Sequence, residues 1–478
     1  MRGLTLGMTD KPVTAASSPD VASSIGFTCG LIAVLLMFLL PGNLLSLLGI
    51  GYDSPSSFPA FKIHPSTYLT AFGLMATLLA VLQRKPVAGQ AEWRVPVIFI
   101  LLTVACALCS FLSVGTAGAS NYVDTFVAAG ALAMILATGG TRQRRKLGYL
   151  ILALVLVNVV ISFWESVADT HLIPLQISAP DLRKSGGWDG INFRPAGLFG
   201  HPLQAACVTS MGVFLLLAMR LGPWLSAATF GLLAAGLFSF GGRGALLVTF
   251  STLVVAGVIF LLMTLARRAL TPRILSGTLL AVLLLPPSLI LLTSETNIGN
   301  RMVTHFYVDD SALVRSQQWD VLDLIDLREI LYGTTREHVD LMVEQIGLRS
   351  QGSGIENPWL LLFLNLGVIN LVPFLAGLSM FLVYLARRGG WPIGWLLVSS
   401  YIAIASTSNS LGVKTSDLSL LVAVVIAMSG FRNQTSAVSS ESKLHLEPQP
   451  LRSGSSQSRQ LGLSPNVAPN GNRPLLQR

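Results

Sequence analysis

Long apolar runs, broken by short polar stretches, repeat along the chain between Phe27 and Met428. Several runs, such as 95–114 and 245–265, approach the ~20 residues that an α-helix needs to cross ~30 Å of hydrocarbon. Helices satisfy their backbone polar groups internally, which lipid requires. The pattern therefore predicts an all-α, polytopic membrane bundle of about 12 transmembrane helices. The predicted helices span 27–50, 67–82, 95–114, 122–138, 147–164, 203–219, 224–240, 245–265, 274–292, 360–385, 393–408 and 418–430.

The composition agrees with a membrane protein. Hydrophobic residues make up 52% of the chain and charged residues 12%, which is more apolar surface than one soluble core could bury. All four cysteines, Cys29, Cys106, Cys109 and Cys207, fall inside apolar runs, and no second ligand pair accompanies Cys106 and Cys109. We interpret them as buried free thiols, and the sequence predicts no metal and no cofactor.

Lysine and arginine concentrate in alternate connections between the predicted helices, as the positive-inside rule expects. With the amino terminus in the cytoplasm, the basic connections face inward: Arg84, Lys85 and Arg94; Arg142, Arg144, Arg145 and Lys146; Arg267, Arg268 and Arg273; Arg387 and Arg388. Two long connections, 166–201 and 294–357, then face outward. The predicted organisation is an inner arm at 1–24, a transmembrane domain at 25–431 and a disordered inner tail at 432–478.

The charge pattern also limits the partners. The net charge of +9 follows mostly from the inward connections, so we expect contact with the lipid bilayer and its anionic headgroups, and no nucleic acid. The second outward loop interleaves charged and apolar residues, which predicts short amphipathic helices that lie on the membrane surface and cap a cavity. Most of its charges are read as a solvated face. The sequence has no internal repeat, which disfavours a secondary transporter.

Two arginines lie at the outer ends of predicted helices. Arg194 lies at the mouth of the sixth helix, and Arg243 stands between Gly242 and Gly244 in a very short connection. An arginine in such a place is costly unless it snorkels or binds an anion. Flanking glycines leave backbone amides accessible to phosphate oxygens. For Arg243 the sequence favours anion binding over anchoring, because basic residues are otherwise depleted on this side.

Two further candidates lie in the second outward loop. Arg315 follows Asp309 and Asp310, so it is either an ion-paired surface residue or an anion ligand. Glu356 stands where a glycine-containing stretch turns into the tenth helix. A carboxylate there either caps the helix and meets its dipole or serves as a general base at the mouth of a cavity.

Three stretches, in this order and on this side, resemble the O-antigen ligase and polysaccharide polymerase superfamily of bacterial envelope proteins. The family pattern runs from Gly-x-x-x-Asn-Pro-Asn-x-x-Ala through Ser-x-x-Arg-Gly-Ala and a large periplasmic loop to His-Asn-x-x-Leu and Gly-x-x-Gly. The matching stretches here are 197–206, 239–245 and 356–370. His201 and Leu203 replace asparagines of the first motif, and Glu356 replaces the histidine taken to be the family's base.

The resemblance implies an inner-membrane glycosyltransferase that joins undecaprenyl-pyrophosphate-linked oligosaccharide repeat units at the periplasmic face, without metal and with inversion. It implies that Glu356 and Arg243 are catalytic, and that substrate is bound by Arg194, Arg243, Arg315, His201 and Asn357. A chain-length regulator and a flippase of a polysaccharide export system are implied as partners. Three alternatives remain open: an O-antigen ligase that transfers glycan to lipid A core, a lipid-linked sugar transporter or flippase, and a non-catalytic scaffold.

Overall fold

A computed structural model describes residues 21–52, 58–83, 90–114, 119–174, 193–219, 221–266, 316–348, 354–408 and 410–432. These residues form helices and their connections, and no strand occurs among them, which confirms the all-α prediction for this part of the chain. They all belong to one compact unit, residues 1–433. The predicted helix at 274–292, Arg315 and the predicted tail beyond residue 432 lie outside the described residues.

Each predicted apolar helix within the described ranges overlaps one or two helices of the structure. A π-helical turn, Val123–Val127, joins the fifth and sixth helices, and 3-10 turns cover Pro59–Lys62, Gln90–Trp93 and Gln318–Leu324. In chain order the described α-helices are α1 (Val21–Leu39), α2 (Gly42–Leu47), α3 (Pro65–Leu82), α4 (Arg94–Val114), α5 (Ala119–Tyr122), α6 (Ala128–Ala137), α7 (Thr141–Ala168), α8 (Pro202–Ala218), α9 (Pro223–Ser239), α10 (Arg243–Ala266), α11 (Leu327–Tyr332), α12 (Arg336–Gln345), α13 (Pro358–Gly389), α14 (Ile393–Ser408) and α15 (Asp417–Arg432).

Five segments within the described residues are long and apolar enough to cross a membrane. They are Pro65–Leu82, Ser120–Ala137, Thr141–Ala168, Arg243–Ala266 and Pro358–Gly389. Shorter apolar helices, among them α8, α9 and α14, pack beside them. The described chain is therefore a helical bundle with several candidate membrane spans.

Three helices differ from the sequence prediction in their ends or in their continuity. The predicted helix 27–50 is two helices in the structure, because α1 ends at Leu39 and Pro41 precedes α2. Helix α1 also begins at Val21, which the prediction placed in the inner arm. The basic stretch 142–146 is the first turn of α7 rather than a loop. Gly367, with a φ of 62°, interrupts α13 and divides it into a short segment and a longer one.

Three helices begin with the same local device, a polar side chain followed by proline at the first helical position. The Nδ1 atoms of His64 and His201 accept the N–H of Ser66 and Leu203, and Asn357 Oδ1 accepts the N–H of Trp359 and Leu360. Proline lacks the N–H that would go unpaired there, and the side chain satisfies another. The sequence therefore starts α3, α8 and α13 locally.

Hydrogen bonds join neighbouring helix ends. Where α7 begins, Arg145 Nε donates to Gly430 O of α15 over 2.9 Å, and Arg144 donates to Ala137 O of α6 over 2.7 Å. Where α13 begins, Trp359 Nε1 donates to Ser406 Oγ of α14 over 2.9 Å. The beginning of α7 is thus held against the ends of α6 and α15.

The short helices within 316–348 form a small core of their own. Val339, Met342 and Val343 of α12 pack with Ile355 and with the first segment of α13. The second long connection therefore contains short helices, as predicted, and they pack against the beginning of α13.

Candidate functional site

The segment that carries Arg194 is held by a buried carboxylate of α7. Glu165 is completely buried, and its Oε2 accepts the N–H groups of Ala196 and Gly197, each over 2.8 Å. Its Oε1 accepts the N–H of Leu172 over 2.8 Å. Three charge-assisted hydrogen bonds stabilise a buried carboxylate and fix the loop backbone. The sequence prediction ended the helix at residue 164 and did not single out Glu165.

About two turns before Glu165 on α7, at 3.6 residues per turn, Asn158 provides a second anchor for the same loop. Its Oδ1 accepts the N–H of Leu198 over 2.7 Å. Gly197 adopts a φ of 60°, and a Cβ there would collide with the Asn158 side chain. Glycine is therefore required both by the backbone conformation and by the close approach. Nothing in the local sequence around Asn158 indicates this role.

The turn between α9 and α10 brings the second arginine to the same place. Ser239 Oγ lies 2.8 Å from Ser162 Oγ of α7, so the end of α9 is tied to the helix that anchors the Arg194 loop. Gly241 adopts a φ of 64°, and the Arg194 side chain passes 3.9 Å from where a Cβ on Gly241 would stand. Arg243 follows two residues later as the first residue of α10.

The C-terminal end of α14 connects this turn to the beginning of α13, next to Glu356. A Cβ on Gly244 would lie 3.0 Å from Thr407 Oγ1, and the neighbouring Ser406 accepts the Trp359 indole N–H. Trp359 is three residues beyond Glu356. The structure therefore links the segments that carry Arg194, Arg243 and Glu356 through a series of neighbouring contacts at one end of the bundle.

A buried glutamine fixes the backbone of Glu356. Gln318 is completely buried, and its Oε1 accepts the N–H groups of Glu356 and Asn357, each over 3.1 Å. Its Nε2 donates to Gly354 O over 3.3 Å. Gln318 was not among the predicted site residues, since a glutamine beside Trp319 in a polar loop carries no distinguishing pattern.

His201 lies close enough to Arg194 to feel its charge. Its side chain is exposed, yet the surrounding protein removes enough water to lower its pKa, and the positive charge of Arg194 lowers it further, to about 4. The imidazole is therefore neutral near pH 7. Because Nδ1 accepts the N–H of Leu203, the ring proton belongs on Nε2, which can donate to an anion.

Asp417 is an acidic residue at the start of α15, a largely buried helix. Its side chain is completely buried. Ser410 and Gln204 lie near the carboxylate, but no described residue makes a hydrogen bond of good geometry to either of its oxygens. The sequence placed Asp417 near a helix end, and it is the first residue of α15. The helix dipole favours a negative charge at this position.

The arrangement combines guanidiniums, a neutral imidazole and helix-start amides at one end of the bundle. Such groups can bind a phosphate-type anion. Within the described ranges, no three His, Cys, Asp or Glu side chains form a metal-binding group. Comparison with protein-family models, with curated proteins and with solved structures finds no match to this chain.

Proposed function

We propose that this protein is a membrane glycosyltransferase that joins lipid-linked oligosaccharides at the outward end of its bundle. The single observation that carries the proposal is the passage of Arg194 alongside the Gly241 turn that leads to Arg243. Two outward guanidiniums are otherwise costly in a membrane protein, and they suit a diphosphate. The proposal includes a bundle of about 12 spans in the bacterial inner membrane, with 166–201 and 294–357 in the periplasm.

The proposed donor is an undecaprenyl-pyrophosphate-linked oligosaccharide. An acceptor hydroxyl forms a bond to the anomeric carbon while the bond from that carbon to the phosphate oxygen breaks, with inversion. The diphosphate leaves with the electron pair, so negative charge develops on its oxygens. Arg194 and Arg243 neutralise that charge, and their forked donors match phosphate geometry better than an ammonium would.

The remaining predicted residues have supporting roles in this scheme. His201 offers Nε2–H to a phosphate oxygen, and Asn357 holds the start of α13 beside Glu356. Glu356 orients or deprotonates the acceptor hydroxyl. Arg315, predicted to assist from the loop, lies outside the described residues.

The test is a transfer assay with purified full-length protein in lipid nanodiscs. The donor is the lipid-linked oligosaccharide extracted from cells that lack the protein. Arg194→Ala and Arg243→Ala should each lower transfer by about 100-fold or more, as the loss of a group that stabilises developing charge does. Arg142→Ala is the matched control, because Arg142 is exposed at the opposite end of the bundle. Normal yield from both site variants would refute the assignment.

The products separate the alternatives. Units joined to each other indicate a polymerase, and transfer to lipid A core indicates a ligase. A donor that stays intact in nanodiscs but crosses the bilayer of sealed proteoliposomes indicates a transporter, for which the buried Asp417 is the supporting observation. A chain-length regulator and a flippase remain the expected partners of a polymerase.

A further inference from the structure

The connection between α14 and α15 is folded tightly against the beginning of α15. Within it, Thr415 Oγ1 donates to Ser410 O over 2.7 Å. From outside, Asn121 Nδ2 donates to Gly412 O over 3.1 Å, and Thr125 Oγ1, in the π-helical turn, accepts the N–H of Thr415 over 3.3 Å. These hydrogen bonds preorganise the backbone that leads into α15.

Asp417 follows this connection as the first residue of α15, and its charge lacks a balancing side chain among the residues that the structure describes. Its side chain is completely buried, and both carboxylate oxygens are without a hydrogen bond of good geometry. No lysine, arginine or histidine of the described ranges forms an ion pair with it. The dipole of α15 offsets only part of the cost of a buried negative charge. The carboxylate therefore requires a bound positive charge.

The groups around the carboxylate are neutral oxygens. Ser410 and Gln204 lie beside it, and Ser408 Oγ lies 2.7 Å from Ser410 Oγ. Gln204 Nε2 donates to Ser416 Oγ over 3.5 Å, so the amide oxygen is the atom that Gln204 can offer to a cation. Hydroxyl, amide and carboxylate oxygens are the ligands that hard metal cations prefer. A proton on the carboxyl group would need only one of them as its acceptor.

The charge balance selects a singly charged ion. One carboxylate and one alkali metal cation form a neutral unit, whereas a divalent ion would leave a net positive charge buried. Tyr401 and Cys207 are the other titratable side chains that lie near Asp417. Both are uncharged in their usual forms near pH 7, so they do not change this balance.

The carboxylate and the amide belong to two different helices. Asp417 begins α15, and Gln204 lies in the first turn of α8, three residues after the His201 cap. Gln204 and Ser416 are half-buried while Asp417 is completely buried, so an ion would reach the carboxylate past these two side chains. A cation between them would join the beginning of α15 to the beginning of α8.

We propose that Asp417 binds an alkali metal cation together with the oxygens of Ser410 and Gln204. The ion is a structural part of the protein, and it neutralises the buried carboxylate. It holds the first turn of α8, which the His201 cap begins, against the connection before α15. This inference does not rest on the proposed glycosyl transfer, because it concerns ion binding and stability and not the reaction.

The test measures thermal unfolding of purified full-length protein in phosphatidylcholine nanodiscs. The buffers contain sodium chloride, potassium chloride or choline chloride at equal ionic strength. Sodium or potassium should raise the melting temperature of the wild-type protein by about 2 °C or more above that in choline, because an ion that binds only the folded state stabilises it. The shift should saturate with ion concentration. Equilibrium dialysis with radioactive sodium measures the same binding directly.

Three variants identify the ligands. Asp417→Asn keeps the shape of the side chain and removes its charge, so its melting temperature should be the same in all three salts and it should bind no radioactive sodium. Ser410→Ala keeps the carboxylate and should raise the half-saturating ion concentration by about tenfold. Asp340→Asn is the matched control: Asp340 is an exposed acidic residue of α12, and its replacement should leave the salt response unchanged.

Two results would overturn the inference. Equal melting temperatures of the wild-type protein in the three salts would mean that a proton, rather than a metal cation, neutralises Asp417. A salt response that persists in Asp417→Asn would place the ion elsewhere. If Asp417→Asn does not fold, Ser410→Ala decides, and an unchanged half-saturating concentration would reject the site. The proposed function stands or falls separately, in the transfer assay.

Discussion

The side chain of Arg194 passes Gly241 at 3.9 Å from where a Cβ would stand, although the two residues belong to different connections of the bundle. Gly241 has a positive φ, so the turn before Arg243 takes a shape that other residues adopt only with strain. Buried groups of α7 hold both connections, Glu165 on one side and Ser162 on the other. The two arginines are thus positioned by one helix.

Replacement of Gly241 by valine should disturb both the turn and Arg194. The positive φ costs about 1–2 kcal/mol for a residue with a Cβ, and the valine methyl groups extend toward the guanidinium. We expect a lower melting temperature and a loss of transfer of about tenfold or more. Gly257→Ala is the control: nothing lies within 4 Å of its Cβ position, so it should raise helix stability by about 1 kcal/mol. Full activity of Gly241→Val would contradict the positioning of Arg194 by this turn.

Removal of the Glu165 carboxylate should release the loop that carries Arg194. Glu165→Ala leaves the N–H groups of Leu172, Ala196 and Gly197 without their acceptor. Each lost hydrogen bond to a charged group contributes about 1.5–3 kcal/mol, so thermal unfolding should begin at clearly lower temperature. Ser166→Ala, which removes one bond within the helix, should shift unfolding much less. Equal melting curves for the two variants would show that Glu165 does not hold the loop.

The stability of the protein should fall on acidification because of His201. Its pKa is lowered from 6.5 to about 4 in the folded state, first by loss of hydration and then by Arg194. Between these values the unfolded chain binds a proton that the folded chain does not, so stability is full above pH 6.5 and declines as pH falls toward 4. His201→Asn keeps a capping side chain and should flatten this decline. Melting temperatures measured across this range test it, and identical profiles would argue against the shift.

Two substitutions of Asn357 separate its capping role from substrate binding. Asn357→Ala removes the acceptor for the N–H groups of Trp359 and Leu360 and should cost about 1 kcal/mol of stability. Asn357→Ser retains a cap and should restore the melting temperature. If Asn357 also contacts substrate, transfer by Asn357→Ser stays low despite restored stability. Recovery of both properties would limit Asn357 to the cap.

The sequence alone predicted the helices well but the contacts between them poorly. Helix positions follow from apolar length and from caps such as His201-Pro202, which are local and can be read from the chain. The break of α13 at Gly367 escaped prediction, because the glycine lies in an apolar run. The structure shows that the backbone of Gly333 packs directly against it and leaves no room for a side chain. The anchoring roles of Gln318 and Asn158 also escaped prediction, because the N–H groups that they accept belong to residues 38 and 40 positions away.

The amino-acid sequence by itself determined that this chain forms apolar helices, roughly where most of them lie, and which arginines and carboxylates stand near their ends. Hydrophobic length and charge are properties of short segments, so no tertiary contact is needed to see them. Only the tertiary structure decided that Arg194 meets the Gly241 turn, that Glu165 holds it there, and that Ser410 and Gln204 lie beside the buried Asp417. Those pairings depend on which helix ends pack together, and packing is decided by the whole set of contacts rather than by any one segment.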